Sequence, residues 1–193
     1  ARGRQTLLEN VDVHMRICLV GVGQDEEEDA HAETAALETA KAMASGKLPP
    51  FFGIRIKSFS AETFERAVRT LDVYLTALCA ETAGELPANF VVTLPKIVSS
   101  KQVAALADIL DKIEEKLGIV DGAIKIEVMI ETALSVIAAD GRVALPEIVA
   151  AAKGRCRGAH FGAFDYTADC GITAQYQDLR HPACDVARNL MLV

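Results

Sequence analysis

Five apolar, nearly unbroken runs alternate with stretches of helical period along this chain, and that alternation restricts its fold more than any other feature. A strand that is apolar on both sides has to be covered on both faces, which a parallel sheet with crossover helices provides. The strand-like runs are Met15 to Val22, Phe51 to Phe59, Asn89 to Ile97, Ile124 to Glu131 and Gly158 to Asp165. Among the stretches between them, the Ala-rich Glu26 to Ser45 closes at Gly46, Ala61 to Ala83 carries acids early and stops at Gly84, and Pro146 to Lys153 is helix-like. Ser99-Ser100-Lys101-Gln102 forms a capping box for a helix whose apolar positions Val103, Leu106, Leu110, Ile113 and Leu117 recur by three and four, with Gly118 as its stop.

The fold class this predicts is α/β, as a (β/α)8 TIM barrel incomplete at one or both ends, because a whole barrel takes about 250 residues. At 193 residues and 51% hydrophobic content the chain can bury a real core. An open doubly wound sheet is the alternative, but neither G-x-G-x-x-G nor G-x-x-x-x-G-K-[ST] is present to mark a nucleotide site. The chain opens on Ala1 and stops within the apolar helical run Cys184 to Val193, so residues 1–193 read as one partial barrel domain.

The net charge of −7 argues against nucleic acid as a partner, since no Lys/Arg stripe is available to neutralise phosphates. No apolar run is long enough to span a bilayer and no signal-peptide pattern is visible, so a cytoplasmic location is expected and no membrane partner. The cysteines Cys18, Cys79, Cys156, Cys170 and Cys184 contain no C-x-x-C pair and read as small, buried free thiols. The acidic cluster Asp25-Glu26-Glu27-Glu28-Asp29 reads as a solvated loop and helix start.

Two carboxylates, Glu131 and Asp165, each stand where an apolar run stops, with the helix-like Pro146 to Lys153 between the runs. A right-handed crossover brings the carboxyl ends of nearby parallel strands to one edge of the sheet, where ligand sites of α/β folds gather. Two hard oxygen ligands there, with no His or Cys cluster beside them, suit Mg²⁺. The competing reading is that one caps a helix and the other pairs with an arginine.

Arg55 lies inside the otherwise apolar Gly53-Ile54-Arg55-Ile56-Lys57, and its planar fork suits a substrate carboxylate or enolate as well as a structural acid. Lys96 closes Val91-Val92-Thr93-Leu94-Pro95-Lys96 and reaches the same edge, to balance a metal site or orient an acid; a Schiff-base role would need a depressed pKa. Thr132 and Asp169 follow the two candidate ligands as supporting polar groups, with a helix start and a loop carboxylate as their plain readings. His160, inside a strand run, reads as a core histidine, and His181 as a turn residue. No Ser/His/Asp or Cys/His arrangement stands out.

Read in order, Gly53-Ile54-Arg55-Ile56, Leu94-Pro95-Lys96-Ile97, Ile130-Glu131-Thr132-Ala133 and Phe161-Gly162-Ala163-Phe164-Asp165 resemble the serial motifs of the HpcH/HpaI aldolase and citrate lyase β-subunit superfamily, in a bacterial branch. The resemblance covers roughly Arg55 to Gly171. It implies a phosphoenolpyruvate/pyruvate-type barrel in which Glu131 and Asp165 hold Mg²⁺ or Mn²⁺ and Arg55 holds the carbonyl or carboxylate end of the substrate. Lys96 joins the catalytic lining, and Thr132 and Asp169 line the substrate side. The implied activity is a carbon–carbon lyase or aldolase cleaving a 2-oxo acid or a hydroxyacyl-thioester such as an acyl-CoA through an enolate. A homo-oligomer is also implied.

The chain departs from the family pattern where Ile17-Cys18-Leu19-Val20-Gly21-Val22-Gly23 replaces an acidic motif, with Asp25 to Asp29 a little later, and the catalytic histidine of the aldolases would lie on an earlier strand. The replaced motif favours a second reading, a non-catalytic metal- or ligand-binding homologue. A third is another phosphoenolpyruvate/pyruvate-type enzyme of the same barrel.

Overall fold

Consecutive strands lie side by side in the order of the chain, all parallel, in an open five-stranded sheet β1-β2-β3-β4-β5. The computed structural model describes residues 14–19 and 25–192. Its strands are β1 (His14–Cys18), β2 (Phe51–Arg55), β3 (Val91–Leu94), β4 (Lys125–Ile130) and β5 (Cys156–Phe161). The helices that follow them are α1 (Asp25–Ala44), α2 (Phe64–Thr82), α3 (Ser100–Leu117), the short α4 (Ala133–Val136) and α5 (Leu145–Ala151), α6 (Ala163–Asp169) and α7 (Pro182–Met191). Sequential order without reversal separates this sheet from a doubly wound one, whose strand order turns back at a switch point. The expected barrel is therefore met in strand direction and order, while among the described residues the sheet is not closed.

The strand period of two sorts the side chains onto two faces. Phe52, Ile54, Ile56, Val92, Leu94, Ile126, Val128 and Ile130 are fully buried and share one core with Leu71, Leu75 and Leu78 of α2 and Leu106 and Leu110 of α3. The alternate residues carry polar groups: Arg55 pairs in register with Thr93, Thr93 with Glu127, and Met129 with His160. This second face leads up to the carboxyl edge of the strands.

Local chemistry sets the helix ends. Ser99 accepts from the backbone N–H of Lys101, and Gln102 Oε1 accepts from the N–H groups of Val98 (2.8 Å) and Ser99 (3.3 Å), so the expected capping box is present. Gly118 ends α3 at φ 68°, a left-handed conformation that costs a glycine nothing. His181 caps α7, its Nδ1 accepting from the N–H of Ala183 at 3.1 Å.

Several predicted boundaries change. β2 stops at Arg55, not Phe59, β3 covers only Val91–Leu94, and α2 begins at Phe64. Val20 to Val22 of the first predicted run, and Val193, lie outside the described residues. Of the cysteines with described side chains, Cys79 and Cys184 are buried as expected, but Cys156 is half-buried and Cys170 exposed; all four are free thiols. No helix among the described residues is long and apolar enough to cross a membrane.

At the opposite, amino-terminal edge, Arg155 is buried just before β5 and closes the sheet onto α3. Its guanidinium donates to Glu114 at 2.9 and 2.6 Å and to the carbonyl of Ile124 at 2.9 Å, with Asp111 a further partner. Glu114 also accepts from the N–H groups of Gly122 (2.8 Å) and Ile124 (2.7 Å). The oxygens of Asp111, Glu114 and Asp121 come together like a metal site, but Arg155 already supplies the positive charge among them.

Candidate active site

Glu131 leaves β4 at its carboxyl end and is 3% exposed. Its Oε1 accepts from the backbone N–H of Lys96 at 2.8 Å. That bond fixes the loop after β3, where Lys96 takes φ 52°, an uncommon conformation for a residue with a Cβ. The same residue then turns its ammonium onto Asp165, with Nζ 3.0 Å from Oδ1. Lys96 therefore ties both carboxylates together, one through its backbone and the other through its side chain.

Asp165 reaches the site differently from the expectation. The run Gly158 to Asp165 is not one strand: β5 ends at Phe161, Gly162 turns the chain, and Asp165 sits in the first turn of α6. The turn residue is dictated by Glu131. A Cβ at position 162 would lie 2.7 Å from both Cβ and Oε2 of Glu131, closer than real contacts allow, so only glycine lets the two elements meet.

The electrostatics follow from this packing. Burial raises the Glu131 carboxyl, the N–H of Lys96 opposes that, and the neighbouring Asp165 charge raises it further. Asp165 is held low, first by the hydrogen bond from Lys96 and to a lesser degree by the Lys96 and Arg55 charges. The bond to Asp165 raises Lys96, which stays an ammonium and lacks the depressed pKa a Schiff-base lysine needs.

Arg55 completes the wall from β2, its Nη1 in a long contact (3.8 Å) with Met129 Sδ. Arg55, Lys57, Ser58, Thr63, Pro95, Lys96, Glu131 and Asp165 line a cavity of about 210 Å³ at the strands' carboxyl edge. Four of the predicted residues, Arg55, Lys96, Glu131 and Asp165, thus converge. Thr132 and Asp169 do not line the cavity. Thr132 caps α4, accepting from Ser135 N–H at 3.1 Å and donating to the carbonyl of Ile97, and Asp169 accepts from the N–H of Ala133 at 2.6 Å. Both hold the backbone that follows Glu131.

Sequence reasoning missed Lys57, Ser58 and Thr63. Lys57 was legible by period, two residues beyond Arg55 on the same side of the strand line. Its partner is Glu28, which is 5% exposed and also lies 3.4 Å from Arg66, while Asp29 pairs with Arg66 and Arg69. The acidic cluster is therefore not wholly solvated: Glu26 and Glu27 are exposed, but Glu28 is buried behind the cavity wall. His160 likewise departs from the core reading. It is half-exposed on the polar face, with Nε2 2.7 Å from Glu127 Oε2.

A divalent cation fits this donor set. Two adjoining carboxylates, one of them buried with its ionised form disfavoured by its neighbour, are what a hard cation relieves, and Mg²⁺ takes one or two carboxylates while keeping water and substrate oxygens. The Lys96 side chain is 57% exposed, so its pair with Asp165 contributes little to the stability of the fold.

The fold is shared with solved enzymes. A citrate lyase from Burkholderia xenovorans LB400 superposes with a TM-score of 0.66 at 19% identity, over 97% of this chain and 52% of that one. A native malate synthase of Haloferax volcanii gives 0.66 at 17% identity, over 92% and 49%. The same malate synthase as its magnesium/glyoxylate complex gives 0.64 at 16%, again over 92% and 49%. The chain spans about half the length of these structures. The resemblance read from the motifs is thus matched in fold by a citrate lyase and a malate synthase. No curated protein matches the sequence. Residues 19–193, most of the chain, match one family, and the chain belongs to it: the family described as domain of unknown function, DUF6986.

Proposed function

We propose that this chain carries the active site of a cytoplasmic, Mg²⁺-dependent carbon–carbon lyase or aldolase acting on a 2-oxo acid or a hydroxyacyl-thioester, and that the full-length protein closes the (β/α)8 barrel as a homo-oligomer. The observation that carries this reading is the meeting of Arg55, Lys96, Glu131 and Asp165, from the carboxyl sides of β2, β3 and β4 and the first turn of α6, at one cavity. The magnesium/glyoxylate complex of a malate synthase with the same fold adds support.

Glu131 and Asp165 would hold the ion, which when bound supplies Lewis-acid polarisation of the substrate carbonyl. Arg55 presents a permanent charge and a planar fork to the carboxylate or developing enolate, an interaction that strengthens as charge builds. Lys96 keeps Glu131 in place through its backbone N–H and brings an exposed ammonium to the mouth for the substrate's far end. Lys57, backed by the buried Glu28, adds positive charge to the same wall. Ser58 and Thr63, 3.1 Å apart, offer hydroxyls for a polar substrate.

The test is a screen of oxo acids and hydroxyacyl-CoA thioesters with the full-length protein and Mg²⁺, following release of the oxo-acid or acetyl fragment. Cleavage that Arg55→Lys suppresses is the expected result. Metal binding without turnover of any member would leave a binding homologue and refute the lyase.

A further inference from the structure

The polar face of the sheet holds a second set of groups below the cavity. Glu127, in the middle of β4, is 8% exposed, and its Oε2 accepts from Thr93 Oγ1 at 3.3 Å. The same oxygen lies 2.7 Å from Nε2 of His160, whose side chain is 44% exposed. His160 pairs in register with Met129, the residue whose sulfur touches Arg55. It therefore stands one step, about 7 Å along the strand, below the row of Glu131 and Gly162, on the same face.

We propose that His160 is the proton carrier of this site, with Glu127 as its positioning residue and Thr93 holding Glu127; this rests on the enolate chemistry proposed above. An ionised carboxylate can only accept, so Glu127 fixes the proton of the imidazole on Nε2 and leaves Nδ1 as the nitrogen that exchanges a proton. A histidine oriented by a buried carboxylate is an arrangement that general acid–base catalysis uses. In the cleavage direction the enolate carbon uses its electron pair to take the proton from Nδ1 of the His160 imidazolium. A C–H bond forms, the Nδ1–H bond breaks, and neutral His160 keeps its Nε2–H on Glu127. In reverse, Nδ1 takes a methyl proton, the C–H electron pair becomes the enolate π bond, and the charge on oxygen faces Arg55. No oxidant or further reactant is needed.

The experiment uses full-length protein with Mg²⁺ and two probes. Oxaloacetate decarboxylation forms an enolate without a base, whereas exchange of the pyruvate methyl protons in D₂O needs one. Wild type is expected to do both. His160→Gln should lose exchange by roughly a hundredfold or more while slowing decarboxylation much less, and added imidazole should restore exchange to His160→Ala. Without metal or substrate, ¹⁵N spectra of neutral His160 should place its proton on Nε2 in wild type, a preference lost in Glu127→Gln. Exchange at the wild-type rate in His160→Gln, decarboxylation and exchange falling together, or a proton on Nδ1 in wild type would each overturn the proposal. A wild type that decarboxylates but does not exchange would also overturn it. Wild type that does neither would instead refute the enolate chemistry on which it rests.

Discussion

Replacing Gly162 with alanine should damage the site without removing any charged group. The added methyl would stand 2.7 Å from the Cβ of Glu131 as well as from its Oε2. Oε2 could swing aside, but a Cβ is fixed by its backbone, so the end of β4 and the turn into α6 must part by roughly 0.7 Å to reach ordinary contact. Overpacking of that kind costs about 1–3 kcal/mol in a packed interior. Movement of Glu131 also loosens its 2.8 Å bond from the N–H of Lys96, and losing such a supporting contact typically weakens a metal site about 10–100-fold. Urea unfolding and calorimetric titration with Mg²⁺ measure the two effects separately. A Gly162→Ala protein within about 0.5 kcal/mol of wild type and with unchanged Mg²⁺ affinity would refute the argument that Glu131 dictates this glycine.

Arg55→Lys keeps the charge and removes the fork, so turnover should fall on the order of a hundredfold, about 2.7 kcal/mol, with Mg²⁺ affinity little changed; a lower melting temperature with normal turnover would make Arg55 structural. Arg155→Leu leaves the buried Glu114 without its guanidinium and should cost about 3–5 kcal/mol by urea unfolding, without altering Mg²⁺ binding per folded molecule. Burial pushes the Glu114 carboxyl up, but Arg155 and the two backbone N–H groups outweigh it and hold it below the model-peptide value of 4.5. Its stabilisation is therefore full above that pH and fades as pH falls through the lower folded value, so the gap between wild type and Arg155→Leu should narrow in acid. Light scattering of the full-length protein at micromolar concentration should show an oligomer, and a monomer would contradict the proposed assembly.

Much of this architecture was legible because its signals are local. The capping box Ser99 to Gln102 and the stop at Gly118 place α3 without tertiary information, since both satisfy helix-end groups within a few residues. Arg55 and Glu131 were readable from charge interrupting or ending apolar runs. The segment after β5 was not, because Gly158 to Asp165 is apolar enough to pass for strand, and only the close approach of Glu131 shows why Gly162 must turn there. Period alone could not distinguish Thr132 lining a cavity from Thr132 capping a helix; its bonds to Ile97 and Ser135 decide that. The pairs Glu28–Lys57 and Glu127–His160 join residues 29 and 33 positions apart, and no sequence spacing announces such contacts.

Whether the carboxylates that follow β4 and open α6 form a divalent-cation site is decided by titrating Mg²⁺ into the full-length protein and its Glu131→Gln and Asp165→Asn variants. Wild type should bind one ion per chain, and each variant should bind it at least about tenfold more weakly, since each loses one of two anionic ligands. Variants that bind Mg²⁺ as tightly as wild type would contradict that assignment.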